Sequence, residues 1–117
     1  MAMTNTTEVY KYLEYNGIKH SNLGFRFVAT SILLGIETPS YCMKIASLYD
    51  EVARIHETSS ACVERAIRNA ITGVKMTNKE FIAKAVDMLT AEQSEYKENI
   101  SKIGLIHSNI AITSNNS

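Results

Sequence analysis

The sequence of 117 residues has no tryptophan, one proline and five glycines. So few turn formers argue against a turn-rich β-sandwich and in favour of helices. Cysteine is equally scarce: Cys42 and Cys62 are too few and too isolated for a disulfide framework or a zinc site. His20, His56 and His107 share no metal-ligand spacing with them or with each other, so neither a metal nor a cofactor is expected. A glycine-rich phosphate loop is missing too, as is any histidine or cysteine constellation, and an enzyme is the weakest functional class. The start "MAMTNTTEVY" lacks the charged head and apolar run of a signal peptide. The late stretch "IGLIHSNIAI" is short and broken by Gly104, His107 and Asn109, so it does not span a bilayer. These absences place the chain in the reducing cytoplasm, with no membrane and no small-molecule substrate as partner.

What is present is apolar material in helical time. The hydrophobic share is 45%, enough for a modest core, and the length fits one domain. Formal net charge is zero, which on average disfavours a nucleic-acid binder. The charge is uneven, however. From Tyr41 to Lys84 seven Lys or Arg face five Asp or Glu (7 − 5 = +2), and from Ala85 onward two basic residues face four acidic ones (2 − 4 = −2).

The pattern predicts a run of helices. The first covers about Thr7 to Asn16, with Val9, Tyr12 and Leu13 inward and Gly17 just past its end. "SNLGFRFVATSILLG" carries the stripe Phe25, Val28, Ile32 and Leu33, and Gly35 closes it. Thr38 then reads as an N-cap with Pro39 at the first helical position, ahead of Met43, Ile45, Ala46 and Tyr49. Asp50 reads as a fresh N-cap for a short helix, Glu51 to His56. After "HETSS", with its cap at Thr58 or Ser59, a longer helix runs to about Ile71, and Gly73 ends it. "TNKE" at 77–80 is a capping box opening a helix with the stripe Ile82, Ala85, Val86 and Leu89. Beyond Thr90, "AEQSEYKENISKIG" is helix-compatible but polar, and "TSNNS" reads as a frayed end.

The two central segments have the spacing of a helix-turn-helix. Small Ala53 sits where two helices approach, Val63 follows ten residues later, and Ala66 comes after it. The turn position usually held by glycine is Glu57, so a different or looser turn is expected. On the second helix Val63, Ala66, Ile67, Ala70 and Ile71 point inward. Ala61, Arg65, Arg68 and Thr72 lie opposite, flanked by Cys62 and Glu64. Arginine can grip guanine O6 and N7 bidentately, and glutamate can accept from cytosine N4. The bland reading of the same face is a solvated surface, in which Glu64 and Arg68 form an i,i+4 pair worth about 0.3–0.5 kcal/mol.

"LGFRFVATSILLGI", "SLYDEVARIHETSSACVERAIRNAI" and "TNKEFIAKAVDML" resemble the C-terminal DNA-binding effector domain of the sporulation initiation (stage 0) response regulator family, over about Val9 to Ala91. The run "VERAIR" after a capped serine/threonine turn is the most specific part. The resemblance implies an all-α, compact domain of about five to six helices with a helix-turn-helix, a winged-helix-like fold without a wing. It implies sequence-specific binding of double-stranded DNA at a short box and regulation of transcription. Carried over by position, Glu64 and Arg65 match the family's base readers and Arg68 its last arginine, whereas Cys62 stands where the family has an arginine. Cysteine cannot replace a bidentate arginine–guanine contact, worth about 1–3 kcal/mol of discrimination. Either the preferred box differs there, or binding is weakened. Between Ile71 and Thr77 the family carries a longer segment with an additional helix. A phosphoacceptor receiver would need about this chain's whole length, so receiver phosphorylation is not the expected switch.

The resulting expectation is a helical effector-like domain at 1–91 and a C-terminal extension at 92–117, partly helical and then frayed. Cys62, Glu64 and Arg65 stand at base-reading positions. Ser59, Ser60, Arg54, Arg68 and Lys75 contact the DNA backbone, and binding as a homodimer or in tandem is compatible with the sequence. The alternative is a protein-interaction module that keeps the fold but has lost specific DNA reading, working through its acidic tail. A positive face formed by Lys44, Arg54, Arg65, Arg68 and Lys75 would favour DNA.

Overall fold

The computed structural model describes residues 6–91, and these contain helices and no strand. The elements are α1 (Thr6–Tyr15), α2 (Leu23–Glu37), a 3-10 turn (Pro39–Met43), α3 (Ile45–His56), α4 (Ser60–Ala70) and α5 (78–91). The expected polar helix after Thr90 and the frayed end lie outside the described residues.

The chain's first helix buries Val9 and Leu13 and leaves Tyr12 half-buried, as its spacing predicts. Gly17 ends it with φ +84°, and the Ile18 N–H returns 3.0 Å to the Leu13 carbonyl, so the last turn is closed by a left-handed residue. α2 is the central helix. Asn22 caps it by accepting from the Gly24 N–H at 2.8 Å, and Phe25, Val28 and Ile32 are fully buried. Leu33, expected in that stripe, is only partly buried.

Two boundaries differ from the sequence reading. Gly35 does not close α2, which continues to Glu37. A Cβ at Gly35 would lie 2.8 Å from Val86 Cγ2, so this glycine admits a side chain of α5. Nor does Asp50 start a helix. Residues Ile45–His56 form one helix, because Ile45, Leu48, Tyr49 and Val52 continue a single inward stripe across Asp50 and an exposed aspartate inside it costs only tenths of a kcal/mol. Met43 falls outside that helix and is 75% exposed. Thr38 caps nothing with its side chain, although Pro39 does stand at the start of the 3-10 turn.

The capping box forms as predicted: the Thr77 N–H donates to Glu80 Oε1 at 3.0 Å, and the Glu80 N–H donates to Thr77 Oγ1 at 3.1 Å. α5 buries Ile82, Ala85, Val86 and Leu89 together with Phe81. Cys42 is half-buried against the core. Burial pushes its thiol up, and the nearby Asp87 charge adds to the effect, so the sulfur stays protonated.

Candidate nucleic-acid interface

α3 and α4 are joined by Glu57, Thr58 and Ser59, and the joint is tight rather than loose. Glu57 itself takes the left-handed conformation, φ 56° and ψ 51°. The Thr58 N–H reaches the Ala53 carbonyl at 2.9 Å, closing α3 as a glycine would. The backbone geometry of a helix-turn-helix is thus reached with a residue that dislikes it, at about 1–2 kcal/mol. Glu57→Gly is expected to raise stability by about 1 kcal/mol, since glycine recovers the strain less its extra chain entropy. A urea unfolding midpoint shifted upward at unchanged slope would show it.

α3 is the brace. It buries Leu48, Val52 and Ala53, and small Ala53 is 5% exposed. Its last residue, His56, lies 2.8 Å by Nε2 from Thr30 Oγ1, and its ring packs edge-on to Phe27 at 5.0 Å. This histidine ties the brace to α2, a role the sequence did not reveal.

α4 divides as its periodicity predicts. Val63, Ala66 and Ile67 are buried, with Ile71 beyond them, and Ala61, Arg65, Arg68 and Thr72 are exposed. Cys62 and Glu64 sit half-buried on the flanks. Ser59 caps the helix by accepting from the Cys62 N–H at 3.1 Å. Ser60 donates its hydroxyl to Asp50 Oδ1 across the two helices. Neither serine hydroxyl is idle.

The cations differ in how they are held. Arg68 is paired with Glu64, one turn apart, as the bland reading anticipates. Arg54 is paired with Glu51, which holds that carboxyl below its usual range. Among the described residues Arg65 has no ionic or hydrogen-bond partner, nor does Lys75. The local surplus of positive charge lies mostly outside the helix pair. From Ile45 to Ala70 there are four carboxylates (Asp50, Glu51, Glu57, Glu64) and three guanidiniums (Arg54, Arg65, Arg68), or 3 − 4 = −1.

Beside α4 the chain turns sharply from Ile71 to Thr77, with the Val74 N–H on the Ile71 carbonyl at 2.8 Å. This short connection leaves a groove of about 670 Å³, lined by Tyr49, Ile71, Val74 and Met76 together with Glu64, Arg68 and Lys75. Asn78, at the start of α5, donates 3.0 Å to the Glu64 carbonyl and pins the far side of the groove to α4. Burial pushes the Tyr49 phenol up, outweighing its hydrogen bond with Asn78, so it stays neutral.

A capped helix braced against a second through a left-handed turn, with arginines facing outward, is the arrangement of a helix-turn-helix. The sequence matches the sporulation initiation factor Spo0A C-terminal family over residues 9–110. The chain belongs to that family. Comparison with curated proteins and with solved structures returns no match. The Spo0A C-terminal domain is a DNA-binding effector of sporulation, and this chain shares its all-α character and its place in transcription regulation. No helix among the described residues is long and apolar enough to cross a membrane.

Proposed function

We propose that this chain is a sequence-specific, double-stranded-DNA-binding transcription regulator of the cytoplasm, in which α4 enters the major groove and Arg65 is the principal base reader. The observation that carries this reading is the contrast among the three arginines of the helix pair: Arg54 and Arg68 are engaged by carboxylates, whereas Arg65 is exposed and unengaged at the middle of the helix. An unpaired guanidinium meets a guanine edge without first losing a partner. Glu64 reads the neighbouring base. Its partner Arg68 offsets its charge near phosphate, and a surface pair of this kind is worth only about 0.3–0.5 kcal/mol, so it exchanges readily. Arg68, Arg54 and Lys75, with the Ser59 hydroxyl and the backbone N–H of Ser60 at the start of the helix, supply backbone contacts. Cys62 leaves one family contact unmade.

The test is fluorescence anisotropy of a labelled duplex bearing the Spo0A box against a scrambled duplex, at two salt concentrations. The chain is expected to prefer the box at both, and Arg65→Ala to lose about 5- to 100-fold of that preference. The net charge of −1 on the helix pair is the observation favouring the other reading, a protein-interaction module. Equal, weak binding to both duplexes that vanishes at higher salt would select that reading.

A further inference from the structure

We propose that Asp50 is an affinity-limiting residue of this domain: its carboxylate, held by the Ser60 hydroxyl at the first turn of α4, brings its own negative charge to the end of the reading helix that lies nearest the DNA backbone. The inference rests on the DNA-binding reading above and adds to it a residue that works against affinity.

Asp50 sits mid-way along the brace helix, exposed, and Ser60 is the first residue of α4. The hydrogen bond from Ser60 Oγ to Asp50 Oδ1 links residues ten apart in sequence and joins the two helices at that corner. A carboxylate there is favoured by the positive end of the α4 dipole, the same feature that would otherwise attract a phosphate. From Asp50 to Glu57 the chain carries three carboxylates and one guanidinium, and that guanidinium, Arg54, is paired with Glu51 rather than with Asp50. Among the described residues no ion pair involves Asp50. In a helix-turn-helix the brace helix crosses the backbone and the reading helix points its N-terminus at the groove, so a duplex phosphate at this corner meets a like charge at close range.

The consequence is general rather than base-specific. Asp50→Asn keeps the shape of the contact with Ser60 and removes only the charge. It is expected to tighten binding to the box duplex and to the scrambled duplex by a similar factor, about three- to tenfold at low salt. The plot of log affinity against log salt should steepen, because the repulsion that is removed is one that rising salt would itself screen. Asp50→Ser is a second neutral replacement that carries the same test should the asparagine variant not fold. Unchanged or weaker binding to both duplexes would overturn the inference. So would tightening confined to the box, which would make Asp50 a base reader. If the parent chain binds and the variants do not differ, the inference alone fails. If neither parent nor variants bind any duplex, it falls together with the DNA-binding reading.

Discussion

Replacing Gly24 by alanine is expected to destabilise the fold by about 3 kcal/mol or more, lowering the midpoint of thermal unfolding by roughly 10–20 °C. A Cβ at this position would lie 2.2 Å from the Ala66 carbonyl oxygen, 2.8 Å from its carbon and 2.9 Å from Ala70 Cβ. The first two are backbone atoms of α4, which no rotamer change can move aside, so α4 as a whole must shift. Alanine is otherwise the better helix former by about 0.5–1 kcal/mol, so a loss of this size measures the close approach of α2 to α4 and nothing else. Circular dichroism against temperature reads it. Gly73→Ala is the control: a Cβ there meets nothing within 4 Å, and its effect should stay within about 0.5 kcal/mol. Because α4 carries Arg65, any Gly24→Ala chain that still folds should also show reduced preference for the box.

Gly24 also shows where the sequence stops being informative. Helix faces, the Thr77–Glu80 capping box and the left-handed Gly17 were legible because each depends on residues within one or two turns. The i,i+4 pair of Glu64 and Arg68 was legible for the same reason. Misreadings arose where a distant residue decides. Gly35 looked like a stop because the reason for its missing side chain, Val86, is 51 positions away (86 − 35 = 51). Asp50 looked like a cap because its actual partner, Ser60, is on the next helix. Glu57 looked incompatible with a tight turn, since local preference alone would not put a glutamate in the left-handed region. There the packing of α3 and α4 over Val52, Val63 and Ile67 overrides it.

The candidate site was legible in the same unequal way. Periodicity put Arg65 and Arg68 on the free side of α4 with Cys62 and Glu64 on its flanks, and the family resemblance gave that side a purpose. Which arginine of the helix pair is left unpaired depends on local carboxylates and on side-chain reach, and it became visible only in three dimensions. The groove under the short Ile71–Thr77 connection was invisible as well, since it is formed by Tyr49 from one helix and Val74 and Met76 from the turn.

That connection makes the anchoring of α5 the decisive structural question, and Phe81→Ala answers it. Phe81 is 1% exposed, among the largest fully buried side chains, and its ring lies 6.2 Å from that of Tyr12 on α1. Removing it is expected to cost about 3–5 kcal/mol, from lost apolar burial plus the cavity left between α1 and α5, with a drop of roughly 10–25 °C in the unfolding midpoint. The loss should appear as one cooperative transition, because Val86 packs onto Gly35 and Asn78 is bonded to the Glu64 carbonyl, which couple α5 to α2 and α4. A change below about 1 kcal/mol, or a separate early melting of α5, would mean that this helix merely covers the core. In that case the groove beside α4 would lose its far wall. Full cooperativity means instead that the short turn delivers α5 firmly to the core, and that α4 is held from three sides while Arg65 stays free.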